Sequence, residues 1–204
     1  MAFEDRRERE RAARRQLIIT TARRVAEAEG WEAVTTRRLS AEIEYSQPVL
    51  YKHFAGLDHI ADAIAVEGFA ELTEVLRAAQ ADEPADVLAG IAHAYLKFAR
   101  GNPAVYDAMF TRATNLRFAS PETPAELATA FAELHRVVVG VAGGRDADLL
   151  TEMFWAALHG LVTLGRAGRL RPGHDDGRVR LLVDQFSGGG EATRRPSAAR
   201  RARR

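Results

Sequence analysis

The sequence predicts an all-α fold of about nine helices, and three observations carry that expectation. Strand signals are almost absent, because apolar residues recur at three- and four-residue spacing and are punctuated by Gly and Pro. Hydrophobic residues form 47% and charged residues 28% of the 204, an ordinary balance for a packed core that argues against disorder throughout. Residues 36–54, TRRLSAEIEYSQPVLYKHF, read as two short helices joined by a tight turn.

Composition limits the chemistry. There is no cysteine, so disulfides, zinc knuckles and thiol nucleophiles are excluded. The opening stretch MAFEDRRERERAARRQ has no apolar h-region, and LIITTA and VVVGVAG are too short to span a bilayer. A cytoplasmic protein without a membrane partner is expected. The net charge of +1 hides an asymmetry: residues 1–57 carry 11 basic and 9 acidic groups, residues 58–189 carry 12 and 18, and residues 190–204 carry 6 and 1. A basic end beside an acidic body suits a protein that touches a polyanion with one part of itself.

Each element has its own signal. Residues 1–10 alternate in charge and read as a loose arm or a frayed helix start. From about Arg11 to Glu29, Leu17, Ile18, Thr21, Ala22, Val25 and Ala26 form an apolar stripe, with Gly30 as its stop. Trp31 and Val34 pack in the following turn. In the two short helices Leu39, Ile43, Leu50 and Phe54 are spaced to bury together, leaving Arg37, Gln47, Lys52 and His53 outward. Ser46 is placed to cap the second helix with its hydroxyl, and Pro48 is tolerated in a first turn.

A longer helix is expected over Asp58–Gln80, then Asp82-Glu83-Pro84 as a linker. Further helices follow at about Ala85–Arg100, Pro103–Thr111, Thr123–Val141, Asp146–Ala167 and Asp176–Phe186. The tail, GGGEATRRPSAARRARR from Gly188, cannot bury enough apolar surface to fold alone.

A helix like 47–53 is narrow enough for a major groove. Gln47 can pair bidentately with adenine, and Pro48 and Val49 offer apolar contact to thymine methyls, beside their plain roles in starting the helix. Arg37 and Lys52 can each meet guanine or a phosphate, and the bland alternative is a solvated helix face. Tyr51 and His53 suit phosphates. Thr36 suits either a phosphate or an N-cap. The arginines at 6, 7, 9, 11, 14 and 15 could reach phosphates, but the interleaved acids favour a solvated helix. His174-Asp175-Asp176 is read as a loop and helix cap rather than a metal site. No phosphate-cradling glycine loop or nucleophile elbow is present, so no catalytic residue, metal or cofactor is assigned.

Gly30-Trp31, Thr35-Thr36-Arg37-Arg38-Leu39 and Gln47-Pro48-Val49-Leu50-Tyr51-Lys52-His53-Phe54 together resemble the tetracycline-repressor (TetR) family over about residues 11–65. Phe154-Trp155-Ala156-Ala157-Leu158-His159-Gly160-Leu161 is similar to the Trp/His-Gly element in the C-terminal domains of one subgroup. The resemblance implies a homodimer and three segments: an arm and DNA-binding unit over 1–57, an effector-binding and dimerisation domain over 58–187, and an Arg-rich tail over 188–204. It implies a repressor that binds a palindromic operator in double-stranded DNA and is released by a small-molecule effector.

Two departures stand out. The turn usually holds Gly, whereas Ile43-Glu44-Tyr45-Ser46 puts Glu44 or Tyr45 at positive φ or reshapes the turn. Leu57 replaces a common phosphate-contacting Lys, which leaves His59 or a backbone N–H as substitutes.

For the effector, His93, Tyr106, Phe110, Phe131, Trp155 and His159 are the expected lining, against the competing reading of ordinary core packing. His159 precedes Gly160, which suggests a close helix approach. A helical carrier or enzyme with a vestigial DNA-binding unit is the alternative, motivated by the two departures. A non-specific DNA coat using the tail is a third.

Overall fold

The computed structural model describes residues 2–82, 86–112 and 116–188. The expected linker residues Glu83 and Pro84 and the tail from residue 189 lie outside them. Among the described residues there are nine α-helices and no strand: α1 (Ala2–Glu29), α2 (Thr36–Glu42), α3 (Gln47–Tyr51), α4 (Leu57–Asp82), α5 (Val87–Gly101), α6 (Pro103–Phe110), α7 (Ala125–Val141), α8 (Ala147–Arg166) and α9 (Asp175–Ser187). One 3₁₀ turn, Trp31–Ala33, links α1 to α2.

The largest departure from expectation is at the start. Helix α1 begins at Ala2 rather than near Arg11. Charges of both signs here fall four apart, and Glu10 receives Arg6 at 3.0 Å and lies 4.0 Å from Arg14, the pairing that supports an exposed helix. Gly30 ends α1 as expected, with φ 84 and its N–H donating to the Ala26 carbonyl at 2.9 Å.

The chain divides into two compact units. The first comprises Met1–Arg77 and Lys97–Phe131. Its core holds Ile18, Ile19, Val25, Leu39, Leu50, Ile60, Ile64, Tyr106 and Met109, all fully or almost fully buried. Trp31 donates its indole N–H to the Ala104 carbonyl at 3.0 Å, and Arg23 grips Glu71 with two N–H groups while reaching Asn102 Oδ1 at 3.0 Å. Helices α1, α4 and α6 are thereby fastened by polar bonds as well as apolar packing.

The second unit comprises Ala78–Leu96 and the chain from Ala132. Tyr95, Phe154, Leu158, Val162 and Val179 are buried in it. Phe154 meets Phe186 edge to face, centroids 5.2 Å apart. Asp146 caps α8 by accepting from the N–H groups of Asp148 and Leu149.

Candidate nucleic-acid interface

Helix α3 is only five residues long, so it depends on its neighbours for stability. Leu50 and Phe54 supply that from α3 and the turn after it, and Leu39 and Ile43 from α2 and its end; all four are buried. Each such side chain contributes roughly 1.5–3 kcal/mol on burial. The buried quartet turns the opposite face of α3 outward: Gln47, Pro48, Tyr51 and Lys52 are exposed, and Val49 and His53 are half-buried. Arg37 is exposed on α2, with Thr36 half-buried beside it.

Local capping differs from expectation at two residues. Ser46 sits at the N-cap of α3 but its hydroxyl makes no capping bond. The reason is chemical: Pro48 has no N–H to offer, and the Val49 N–H already donates to the Ser46 carbonyl at 2.9 Å. Thr36 is likewise not the N-cap of α2. Thr35 holds that place, its hydroxyl accepting from the Arg38 N–H at 3.1 Å. The turn between α2 and α3 places Glu44, not Tyr45, in the left-handed region at φ 57, and Tyr45 N–H closes it onto the Ser40 carbonyl at 3.1 Å.

The twin arginines of α2 have different surroundings. Arg38 bonds Glu29 and Glu42, each at 2.9 Å, while Arg24 also reaches Glu42 at 2.6 Å. These bonds hold the Glu42 carboxyl below its usual range, hydrogen bonding from Arg38 being the largest cause. Arg37 has no carboxylate partner among the described residues.

His53 sits at a cavity of about 360 Å³ lined by Arg15, His53, Phe54, His59, Asp62 and Glu67, among others. Its Nδ1 is sealed from solvent without a hydrogen-bond partner. Burial pushes the imidazole below its usual range, and the nearby charges of Arg11, Arg14, Arg15 and Lys52 push it the same way. Leu57 opens α4 half-buried, and His59 is exposed on the first turn of α4.

The residues expected to meet an effector fall in both units. In the first, Tyr106 is fully buried and its ring lies 4.7 Å from that of Phe110, which meets Phe69 edge to face at 5.3 Å. Phe131, on α7, is half-buried. In the second, Trp155 donates to the Tyr95 hydroxyl at 3.2 Å, and burial holds His159 below its usual range. His93 is exposed, 3.8 Å from Asp176. The close approach expected at Gly160 is not found within the described chain, since a Cβ there would meet nothing within 4 Å.

Sequence reading missed two polar residues of the second unit. Tyr95 is buried as the partner of Trp155, and Glu133 is a buried carboxylate that receives Arg136 and, at 3.2 Å, Gln80. Neither residue stands in a motif, and their periodicity is that of ordinary core.

Two family models cover these regions. "Bacterial regulatory proteins, tetR family" matches residues 18–64, and "Tetracyclin repressor-like, C-terminal domain" matches residues 88–186. An HTH-type transcriptional regulator of Mycobacterium tuberculosis is 30% identical over 159 residues, 76% of this chain and 71% of that protein. The chain belongs to the TetR family of transcriptional regulators. A second HTH-type regulator, YobS of Bacillus subtilis, is 30% identical over 103 residues, and the match takes in about half of each protein, 50% of this chain and 54% of that one. A solved structure from Rhodococcus sp. RHA1, a protein of unknown function, superposes with a TM-score of 0.72 at 25% identity, covering 86% of this chain and 94% of that one. TetR-family members are regulators and not enzymes, so the enzyme alternative falls.

Proposed function

We propose that this TetR-family regulator is a homodimeric repressor whose paired α3 helices bind a palindromic operator, and that a small, mostly apolar effector releases it. The observation that carries this reading is the outward face of α3, where Gln47, Pro48, Tyr51 and Lys52 stand exposed over a buried quartet. In it, Gln47, Pro48 and Val49 read base edges, while Thr36, Tyr51 and His53 fix phosphates; Arg37 and Lys52 serve either role.

Pairing is supported by α8. Leu149, Met153 and Leu164 are 59%, 64% and 48% exposed, and Ala156 and Gly160 complete the same face at helical spacing. Leu181 on α9 is 66% exposed. An apolar stripe of this kind is covered economically by its own copy across a two-fold axis. The bare Gly160 lets another backbone come close. Two recognition helices held about 34–36 Å apart read successive major grooves. Residues 1–57 bind DNA in this scheme and 58–187 hold the effector and the dimer contact, with His93, Tyr106, Phe110, Phe131, Trp155 and His159 as effector residues. An effector that prefers a dimer geometry with another spacing lowers operator affinity. The protein acts in the cytoplasm, where its DNA is.

Selection of duplexes from a random-sequence pool by the full-length chain tests the reading. A pseudo-palindrome with half-sites one helical turn apart is expected, and Met153→Glu is expected to yield monomers in sedimentation that no longer enrich it. An unbiased final pool, or a wild-type monomer at every concentration, overturns the proposal.

A further inference from the structure

The first half of α1 presents charge that the reading helix does not use. Because α1 is helical from Ala2, Arg11, Arg14 and Arg15 project from a continuous helix, Arg14 and Arg15 following Arg11 by three and four residues and so flanking it on either side. All three lie close enough to His53 to disfavour its protonation, as does Lys52 at the end of α3. The guanidinium carbon of Arg15 stands 4.7 Å from the centroid of Phe54, a stacking that holds the cation in place without neutralising it. Several other arginines of this unit are paired: Arg6 and Arg14 with Glu10, Arg23 with Glu71, Arg24 and Arg38 with Glu42. Arg11, Arg15 and Lys52 have no carboxylate partner among the described residues.

We propose that Arg11, Arg15, His53 and Lys52 form a second phosphate row, which grips the DNA backbone beside the groove that α3 reads. This rests on the regulator reading above and extends its footprint to the first helix.

Several unpaired cations converging on one imidazole repel each other, and a strand of phosphates passing over them turns that repulsion into attraction. Guanidinium forks match phosphate oxygens, and a neutral imidazole still donates one N–H. The occupant is a polyanion rather than a lone ion for two reasons. Three cations on two elements, with a neutral imidazole donor between them, are satisfied together only by repeated charges. A small anion entering the adjoining cavity meets Asp62 and Glu67 in its wall, whereas Arg11 and Lys52 lie outside that lining.

The test uses the duplex selected by the wild-type chain, prepared with and without one helical turn of flanking sequence on each side. Affinity is titrated against salt for wild type, Arg11→Gln and Arg11→Lys. On the long duplex Arg11→Gln is expected to lower the salt slope by about 0.9 for each phosphate it no longer neutralises, with the selected sequence unchanged. Arg11→Lys should restore most of the slope, and the short duplex should erase the difference between wild type and Arg11→Gln. Equal slopes for wild type and Arg11→Gln on the long duplex overturn the row. So does a thermal shift by inorganic phosphate in wild type that Arg11→Gln lacks, which assigns the cluster to a free anion. Failure of the wild type to select any sequence refutes the regulator reading itself.

Discussion

Glu27, in the last turn of α1, accepts from the backbone N–H of Ala104 at 3.0 Å with one carboxylate oxygen, and from that of Val105 at 3.1 Å with the other. Those amides belong to the first turn of α6, whose N-cap residue Asn102 makes no side-chain capping bond. A residue from another helix therefore does the capping, and its negative charge meets the positive end of the α6 dipole. This carboxylate ties α1 to α6, beside the bonds from Trp31 to Ala104 and from Arg23 to Asn102.

Glu27→Ala removes both acceptors and leaves the two amides unpaired at a part-buried junction. A loss of about 2 kcal/mol is expected, a melting temperature lower by about 4–8 °C. Glu27→Gln keeps one acceptor oxygen and should fall between. Calorimetry of the three proteins checks the order; an Ala variant that melts with the wild type would show that solvent satisfies these amides equally well.

Gly68 lies in the middle of α4, where alanine normally stabilises a helix by about 1 kcal/mol. Here the sign should reverse. A Cβ would stand 2.5 Å from Val105 Cγ1 and 2.8 Å from Met109 Sδ, and both residues are fully buried on α6. Valine is stiff at χ1 and has nowhere to retreat, so Gly68→Ala is expected to destabilise by about 1–2 kcal/mol. In a Val105→Ala background the penalty should shrink or vanish. Additive denaturation free energies in that double-mutant cycle would show that the helices separate freely.

Acid should weaken the fold before carboxylates titrate. His53 and His159 are both held below the usual imidazole range, by burial first and, for His53, by the facing cations of α1 and Lys52 as well. His59, Asp62 and Glu67 of α4 line the cavity beside His53. The unfolded chain thus binds more protons than the folded one, so stability is complete above the ordinary imidazole pKa of about 6.5 and falls as the pH drops below it. Melting temperatures between neutral and mildly acidic pH should decline, and less steeply in a His53→Gln, His159→Gln double variant. A profile that is flat or rises toward acid in the wild type contradicts this account.

Much of this was legible in the residues. Period, punctuation and the buried quartet placed the helices and turned Gln47 and Lys52 outward, whereas His53, expected beside them, is half-buried with its Nδ1 sealed from solvent. Capping at Thr35 and Ser46 was not legible, because it depends on which amide Pro48 withholds and which is already taken. Nor was the onset of α1, since alternating charges read equally as a loose arm and as a ladder of pairs such as Arg6 with Glu10. The turn offered Glu44 and Tyr45 as equals for positive φ, and only the closed bond from Tyr45 to Ser40 decides between them. Periodicity also cannot separate a helix with one apolar face from one with two, which is why the stripe of Leu149 and Met153 was hidden among core positions. Convergence of Arg15 on Phe54 needs tertiary structure, because the two are far apart in sequence.

The unequal employment of Arg37 and Arg38 has a consequence for how α2 can vary. Neighbouring side chains on a helix diverge by about 100°, so Arg38 faces Glu29 and Glu42 while Arg37 points away from them. Substitution at either position alters one role. A residue inserted between Thr35 and Arg37 would rotate Arg37 into the clasp and Arg38 toward the buried place of Leu39, whereas deletion of Thr36 would send Arg38 outward and leave the clasp empty. Length, more than identity, is what this segment must preserve.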